Sequence, residues 1–201
     1  MTEALHPRRV RADAERSTAR ILEAAVAVLA VDPNATLERI ADAAGLARAT
    51  VHRRFASRKA LLAAVSDQLN ERYLLGIKQA RVETAPPAVA LHRLTERVFE
   101  LKISHRFAME LTADPKRRTP PLSREVLDGL DLLFTRLHAA GAITATSPGW
   151  CRQVYLALLH EVDALPTGSP ELGAATDPTE EIGARSDLLV RTVLGALGGT
   201  S

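Results

Sequence analysis

An all-α fold is predicted, on three observations. Apolar residues recur at steps of three and four through every long segment. No run of five or more residues alternates with period two between turn signals. Glycine and proline punctuate the segment boundaries. The chain has 201 residues, 46% of them apolar and 25% charged, an ordinary globular balance that excludes wholesale disorder. That length suits one large domain or two small ones and buries roughly 70% of the unfolded surface. The single cysteine, Cys151, excludes an intrachain disulfide and a multi-cysteine zinc site. Glu3, Arg8, Arg9 and Arg11 have no apolar run behind them, so no signal peptide is expected. The longest apolar run, Ala24 to Val31, is far short of the ~20 residues of a membrane span. A soluble, cytoplasmic protein without a membrane partner is expected.

The elements follow in chain order. Residues 13–31 place Ile21, Ala25, Val28 and Leu29 on one side of a first helix, and Asp32-Pro33-Asn34 ends it. Thr36 caps a short second helix, 37–44, whose inner residues are Leu37, Ile40, Ala41 and Ala44. Gly45 breaks it, and a third helix runs from about 47 to 55. Ser57 caps a long fourth helix carrying Leu62, Val65, Leu69, Tyr73 and Ile77, expected to reach about Thr84 before Ala85-Pro86-Pro87. Further helices are expected at about 88–112, 121–140, 148–164 and 178–197, in a fold of about nine helices. Asp114-Pro115 with Pro120-Pro121, then Gly141, then Ser147-Pro148-Gly149 separate them. Residues 165–178 read as a loop, and Asp177-Pro178-Thr179-Glu180 as a helix start.

Charge is uneven. Residues 1–60 hold 11 Lys+Arg against 7 Asp+Glu, whereas residues 61–201 hold 15 against 17. From Ala43 to Ser66 there are five basic residues and no acid, which suits a polyanion and equally a solvated basic face. Two short helices joined by a glycine turn, the second basic, form a helix-turn-helix pattern. Leu37, Ile40, Ala41, Leu46, Val51 and Phe55 can make its small core with the first helix. With Val51 and Phe55 inside, Arg48, Ala49, Thr50, His52 and Arg53 are left to face a major groove. Arg8, Arg9 and Arg11 read as an arm before the first helix, either reaching DNA or forming a basic tail.

Residues 18–62 carry Thr36, Ile40-Ala41, Gly45, Thr50-Val51-His52, Phe55 and Ser57-Arg58-Lys59-Ala60-Leu61. In this combined spacing the chain resembles the DNA-binding domain of the TetR family of transcriptional regulators. The resemblance implies a DNA-binding helix-turn-helix domain over 1–57 and a ligand-binding and dimerisation domain over 58–201. It implies phosphate contacts from Thr36, Thr50 and Arg58, and base or phosphate contacts from Arg48 and Arg53. An arginine reads guanine through a bidentate pair worth ~1–3 kcal/mol of discrimination, and Ala49 can meet a thymine methyl. Three positions depart from the family pattern. Ala47 stands where a serine or threonine cap is common, Ala49 replaces a frequent glycine, and His52 replaces the usual tyrosine.

The resemblance further implies a homodimer on a palindromic operator and a small-molecule effector, with no cofactor and no metal. Stripes on the last two helices, Trp150, Val154 and Leu158, then Ile182, Leu189 and Val193, suit a four-helix dimer interface or the closure of the monomer core. Tyr73, Phe99, His105, Met109, Phe134 and Tyr155 are the candidate pocket residues, with core filling as the other role. Ile103 and Phe107 suggest partial burial of His105. No nucleophile elbow, phosphate loop or H-E-x-x-H occurs, so an enzyme is not expected. The expected function is a repressor released from its operator by ligand; an activator of the same fold and a non-regulatory helical binder are the alternatives.

Overall fold

The computed structural model describes residues 6–113, 121–173 and 177–199, with side chains from Asp13 onward. Among the described residues the fold is all-helical: α1 (His6–Val31), α2 (Leu37–Ala44), α3 (Arg48–Arg54), α4 (Arg58–Gln79), α5 (Pro87–Ser104), α6 (Arg106–Thr112), α7 (Arg124–Ala139), α8 (Pro148–Asp163) and α9 (Pro178–Ala196), with one 3-10 turn at Pro170–Leu172. The chain forms two compact units. One comprises the described residues of Met1–Leu69 and Arg106–Pro121, the other those of Asn70–His105 and Leu122–Ser201.

In the first unit α1 packs on α2 and on α6, and α2 on α3. Its core is Ile21, Ala25, Leu29, Ile40, Ala41, Val51, Leu61, Val65 and Leu69. Leu37, Val28 and Leu46 are only half-buried. Local chemistry sets the helix ends. Thr36 Oγ1 accepts from the Arg39 N–H at 3.4 Å, and Gly45 closes α2 in the left-handed region at φ 63°. The Ser57 hydroxyl accepts from the Ala60 N–H at the start of α4. The first helix starts at His6, before the expected Asp13, so Arg8, Arg9 and Arg11 do not precede it; their side chains lie outside the described residues.

The second unit is built around one apolar cluster that includes Leu91, Phe99, Leu133, Phe134, Leu137, Cys151, Tyr155, Leu189 and Val193. Ser123, Ser147 and Asp177 cap α7, α8 and α9; Asp177 Oδ1 accepts from the N–H groups of Thr179 and Glu180 at 2.7 and 2.9 Å.

Three boundaries differ from the sequence expectation. The fourth helix ends at Gln79, not Thr84. Ala80, Val82 and Ala85 turn inward instead, Arg81 takes a positive φ of 55°, and Arg136 donates to the carbonyls of Val82 and Ala85. A tertiary hydrogen bond thus outcompetes continuation of the helix. The helix expected over 88–112 is broken at His105, where three successive weak helix formers, Ile103, Ser104 and His105, meet. The expected loop 165–178 contains a 3-10 turn that buries Leu172. Asp114, Pro115 and Pro120 lie outside the described residues.

Candidate nucleic-acid interface

The helix α3 has the sequence Arg48-Ala49-Thr50-Val51-His52-Arg53-Arg54 and holds no acid. Burying Val51 within it and Phe55 just after it turns the rest of the helix outward. Arg48, Ala49, His52, Arg53 and Arg54 are exposed, and Thr50 is half-buried in the first turn. Ala47 occupies the cap position with extended backbone but offers no side-chain hydrogen bond.

Salt bridges divide these cations. Arg48 Nη2 lies 3.4 Å from Asp42, and His52 Nε2 lies 2.9 Å from Glu38 Oε1. Arg53, Arg54 and Lys59 have no ion-pair partner among the described residues. The Glu38 carboxyl is pulled down to about 2 by hydrogen bonds from its own backbone N–H, then the Thr36 hydroxyl, then His52. It is therefore ionised at any ordinary pH. Thr36 is exposed at the α2 start.

Arg58 is placed differently from the outward phosphate grip expected of it. It is half-buried and donates to the carbonyls of Pro33 at 2.6 Å and Ala35 at 3.3 Å, holding the α1–α2 loop. Arg20 does similar work at the glycine turn, donating to Ala44 O at 2.7 Å. Sequence reading missed Glu38, Asp42, Arg20 and Arg54. The first two carried a signal: acids four residues apart on the helix before a basic one.

The six candidate pocket residues do not converge on one cavity. Met109 is buried in the first unit; the other five belong to the second. Phe99, Phe134 and Tyr155 are fully buried core, with Phe134 and Tyr155 ring centroids 5.9 Å apart. The Tyr155 hydroxyl lies 3.3 Å from that of Thr95. Tyr73 is half-buried, and burial followed by the nearby Asp163 charge pushes its hydroxyl upward. His105 is partly buried, as expected, but Ile103 and Phe107 are exposed and do not bury it. Burial, then the Arg72 charge, lowers its pKa against an opposing interaction with the Leu101 backbone. A crevice of about 220 Å³ between α4 and α5 is lined by other residues, Arg72, Leu75, Gln79, Arg97 and Glu100 among them.

The interface candidates also divide. Trp150 is 59% exposed, and Val154, Leu158 and Ile182 are half-buried. Leu189 and Val193 are completely buried in the chain's own core, so they pack the monomer rather than present a surface. Among the described residues no three potential metal ligands cluster, and no helix is long and apolar enough to cross a membrane.

Residues 21–65 match the model of the bacterial regulatory proteins of the tetR family. A relative in Mycolicibacterium smegmatis, the HTH-type transcriptional repressor LfrR, is 33% identical over 150 residues, 73% of this chain and 77% of the relative. The chain belongs to the TetR family. It is a transcriptional regulator with an N-terminal helix-turn-helix domain. The structure of LfrR in complex with proflavine superposes on this TetR-family chain with a TM-score of 0.57 at 29% identity, covering 87% of this chain and 94% of LfrR. A tetR-family protein from Rhodococcus RHA1 shares the fold at a TM-score of 0.70 and 16% identity, covering 92% of this chain and 98% of its own.

Proposed function

We propose that this TetR-family regulator is a cytoplasmic repressor that binds a palindromic operator as a homodimer and is released by a small molecule. The observation that carries the DNA half is α3: seven residues with no acid, one buried anchor, and Arg48, Ala49, His52 and Arg53 on the open face. A major groove about 12 Å wide admits such a helix. Thr36 and Thr50 stand at the starts of α2 and α3, where free N–H groups favour phosphate. In this reading Arg58 contributes by fixing the α1–α2 loop beside them. Residues 1–57 supply the DNA-binding domain and residues 58–201 the regulatory domain.

Repression and release are supported by the relative: LfrR is a repressor, and its structure holds proflavine. A ligand releases DNA only to the extent that it prefers the DNA-incompetent state. The exposed Trp150 with Val154 and Leu158 on α8, together with Ile182 on α9, is the dimer face in this reading.

Purified protein is mixed with sheared genomic DNA, and the retained fragments are sequenced, with an Arg48→Ala/Arg53→Ala variant in parallel. A shared inverted repeat retained by the wild type and lost by the variant is the expected result. Equal retention of all fragments by both proteins would refute sequence-specific reading by α3.

A further inference from the structure

The open face of α3 is tied to α2 by two successive rungs. Glu38 and Asp42 stand one turn apart on α2; Arg48 and His52 stand one turn apart on α3. Glu38 takes His52 at 2.9 Å, and Asp42 takes Arg48 at 3.4 Å. Arg48, given a base or phosphate contact above, and His52, left facing the major groove, are thus both held by acids of the preceding helix. All four side chains are well exposed, so the rungs add little to folding stability. Their effect falls on which way two side chains point. That matters more here than in a longer helix, because α3 is short and Ala47 gives it no side-chain cap.

We propose that Glu38 and Asp42 are specificity-determining positioning residues, Glu38 fixing the tautomer and orientation of His52 and Asp42 the orientation of Arg48. This rests on the reading of α3 as the DNA-contacting helix.

The Glu38 step follows from donor and acceptor inventory. An ionised carboxylate only accepts, so the ring nitrogen facing it, Nε2, carries a proton. The other nitrogen, Nδ1, has no hydrogen-bond partner among the described residues. On a neutral ring Nδ1 accepts, which matches the exocyclic amino groups that adenine and cytosine show in the major groove. Without Glu38 the ring is free to flip or exchange tautomers, and His52 becomes an undiscriminating contact. The Asp42 step is partly repulsive. Asp42 occupies one Nη2 of Arg48 and leaves the remaining guanidinium donors for a base. It also places a negative charge where a misaligned phosphate would otherwise settle on Arg48, which penalises non-specific complexes.

The test uses the full chain as wild type and as Glu38→Ala, Glu38→Gln and Asp42→Ala. Each protein selects from a random duplex pool, then competes its selected duplex against random duplex at fixed salt. Glu38→Ala is expected to lower the specific-to-random affinity ratio about five- to tenfold and to relax one base position per half-site, without changing the salt slope. Glu38→Gln restores most of the discrimination, because an amide oxygen still accepts from Nε2. Asp42→Ala raises affinity for random duplex and so narrows the ratio. Unchanged selection by Glu38→Ala and Asp42→Ala overturns the proposal. Equal loss in Glu38→Ala and Glu38→Gln overturns the tautomer assignment, since charge alone would then account for it. If the wild type itself selects no sequence, the reading of α3 as a DNA reader fails, and that outcome is visible before any variant is compared.

Discussion

At the scale of single residues, arginine does two jobs in this chain. Twenty-two of its residues are arginine, a bias that invites a nucleic-acid reading throughout. Yet four of them end on backbone carbonyls: Arg20 on Ala44, Arg58 on Pro33, Arg136 on Ala85 and Arg185 on Leu165, at 2.6 to 2.9 Å. Arg185 is the most committed. It is 8% exposed, is paired with Glu181, and donates also to Val162 and Asp163 at the end of α8. Arg185→Ala would strip those carbonyls and leave the Glu181 carboxylate without its main partner. A loss of about 2–4 kcal/mol is expected in thermal or denaturant unfolding. Arg185→Lys should recover little of it, because one ammonium cannot span carbonyls on both sides of a planar fork. The two tyrosines make a second test. Burial pushes Tyr155 up to about 12, opposed by its hydrogen bond with the Thr95 hydroxyl, and pushes Tyr73 up as well. An acid whose folded value lies above its unfolded 10.0 stabilises fully below pH 10 and loses that contribution as pH rises toward the folded value. Tyrosinate absorbance should therefore appear together with loss of helicity above pH 10, and Tyr155→Phe should shift that alkaline transition upward.

At the scale of elements, the helix-turn-helix is held firmly at its turn and weakly at the start of α3. Gly45 has φ 63°, and a Cβ there would meet Arg20 Nη2 at 3.1 Å. Gly45→Ala should cost about 1 kcal/mol or somewhat more, from backbone strain and a displaced arginine. Ala47, by contrast, sits in cap geometry without a cap, so Ala47→Ser should stabilise by about 0.5–1 kcal/mol. A denaturant midpoint read on the pair checks both signs at once. The same elements show what the sequence made legible. The capped starts of α2, α4 and α9, and the Gly45 stop, were readable because each rests on a local side-chain or backbone rule. The stop at Gln79 and the break at His105 were not. The first depends on Arg136, more than fifty residues away, drawing two carbonyls out of helical register. The second ends a helix with no glycine or proline to mark it, only weak propensities that tertiary packing is free to override. Glu38 and Asp42 were overlooked for a related reason: their acidic character argued against a DNA-facing role, while their partners are visible only once α2 and α3 are folded.

At the scale of the whole molecule, the apolar stripes of α8 and α9 were legible, but their division between core and surface was not. Periodicity places Trp150, Val154 and Leu158 one turn apart, and it does the same for Leu189 and Val193. Only packing separates them: the α9 pair is sealed inside, whereas the α8 stripe remains partly open and ends in an indole 59% exposed. A tryptophan so exposed is an anchor in search of a pocket, and an isologous interface supplies one when two copies of the stripe meet. The proposed dimer can thus be separated from folding by choice of position. Leu189→Ala opens a cavity and should cost about 2–5 kcal/mol of stability. Trp150→Asp removes no core contact and should leave the helical spectrum and thermal onset of the isolated subunit in place. In sedimentation equilibrium the wild type is expected as a dimer and Trp150→Asp largely as a monomer. Because two half-sites are then read by unlinked heads, operator affinity should fall at least tenfold with no change in base preference. A Trp150→Asp protein that sediments as a dimer with full operator affinity would place the interface on another face, and the α8 stripe would then need a different partner to account for its exposure.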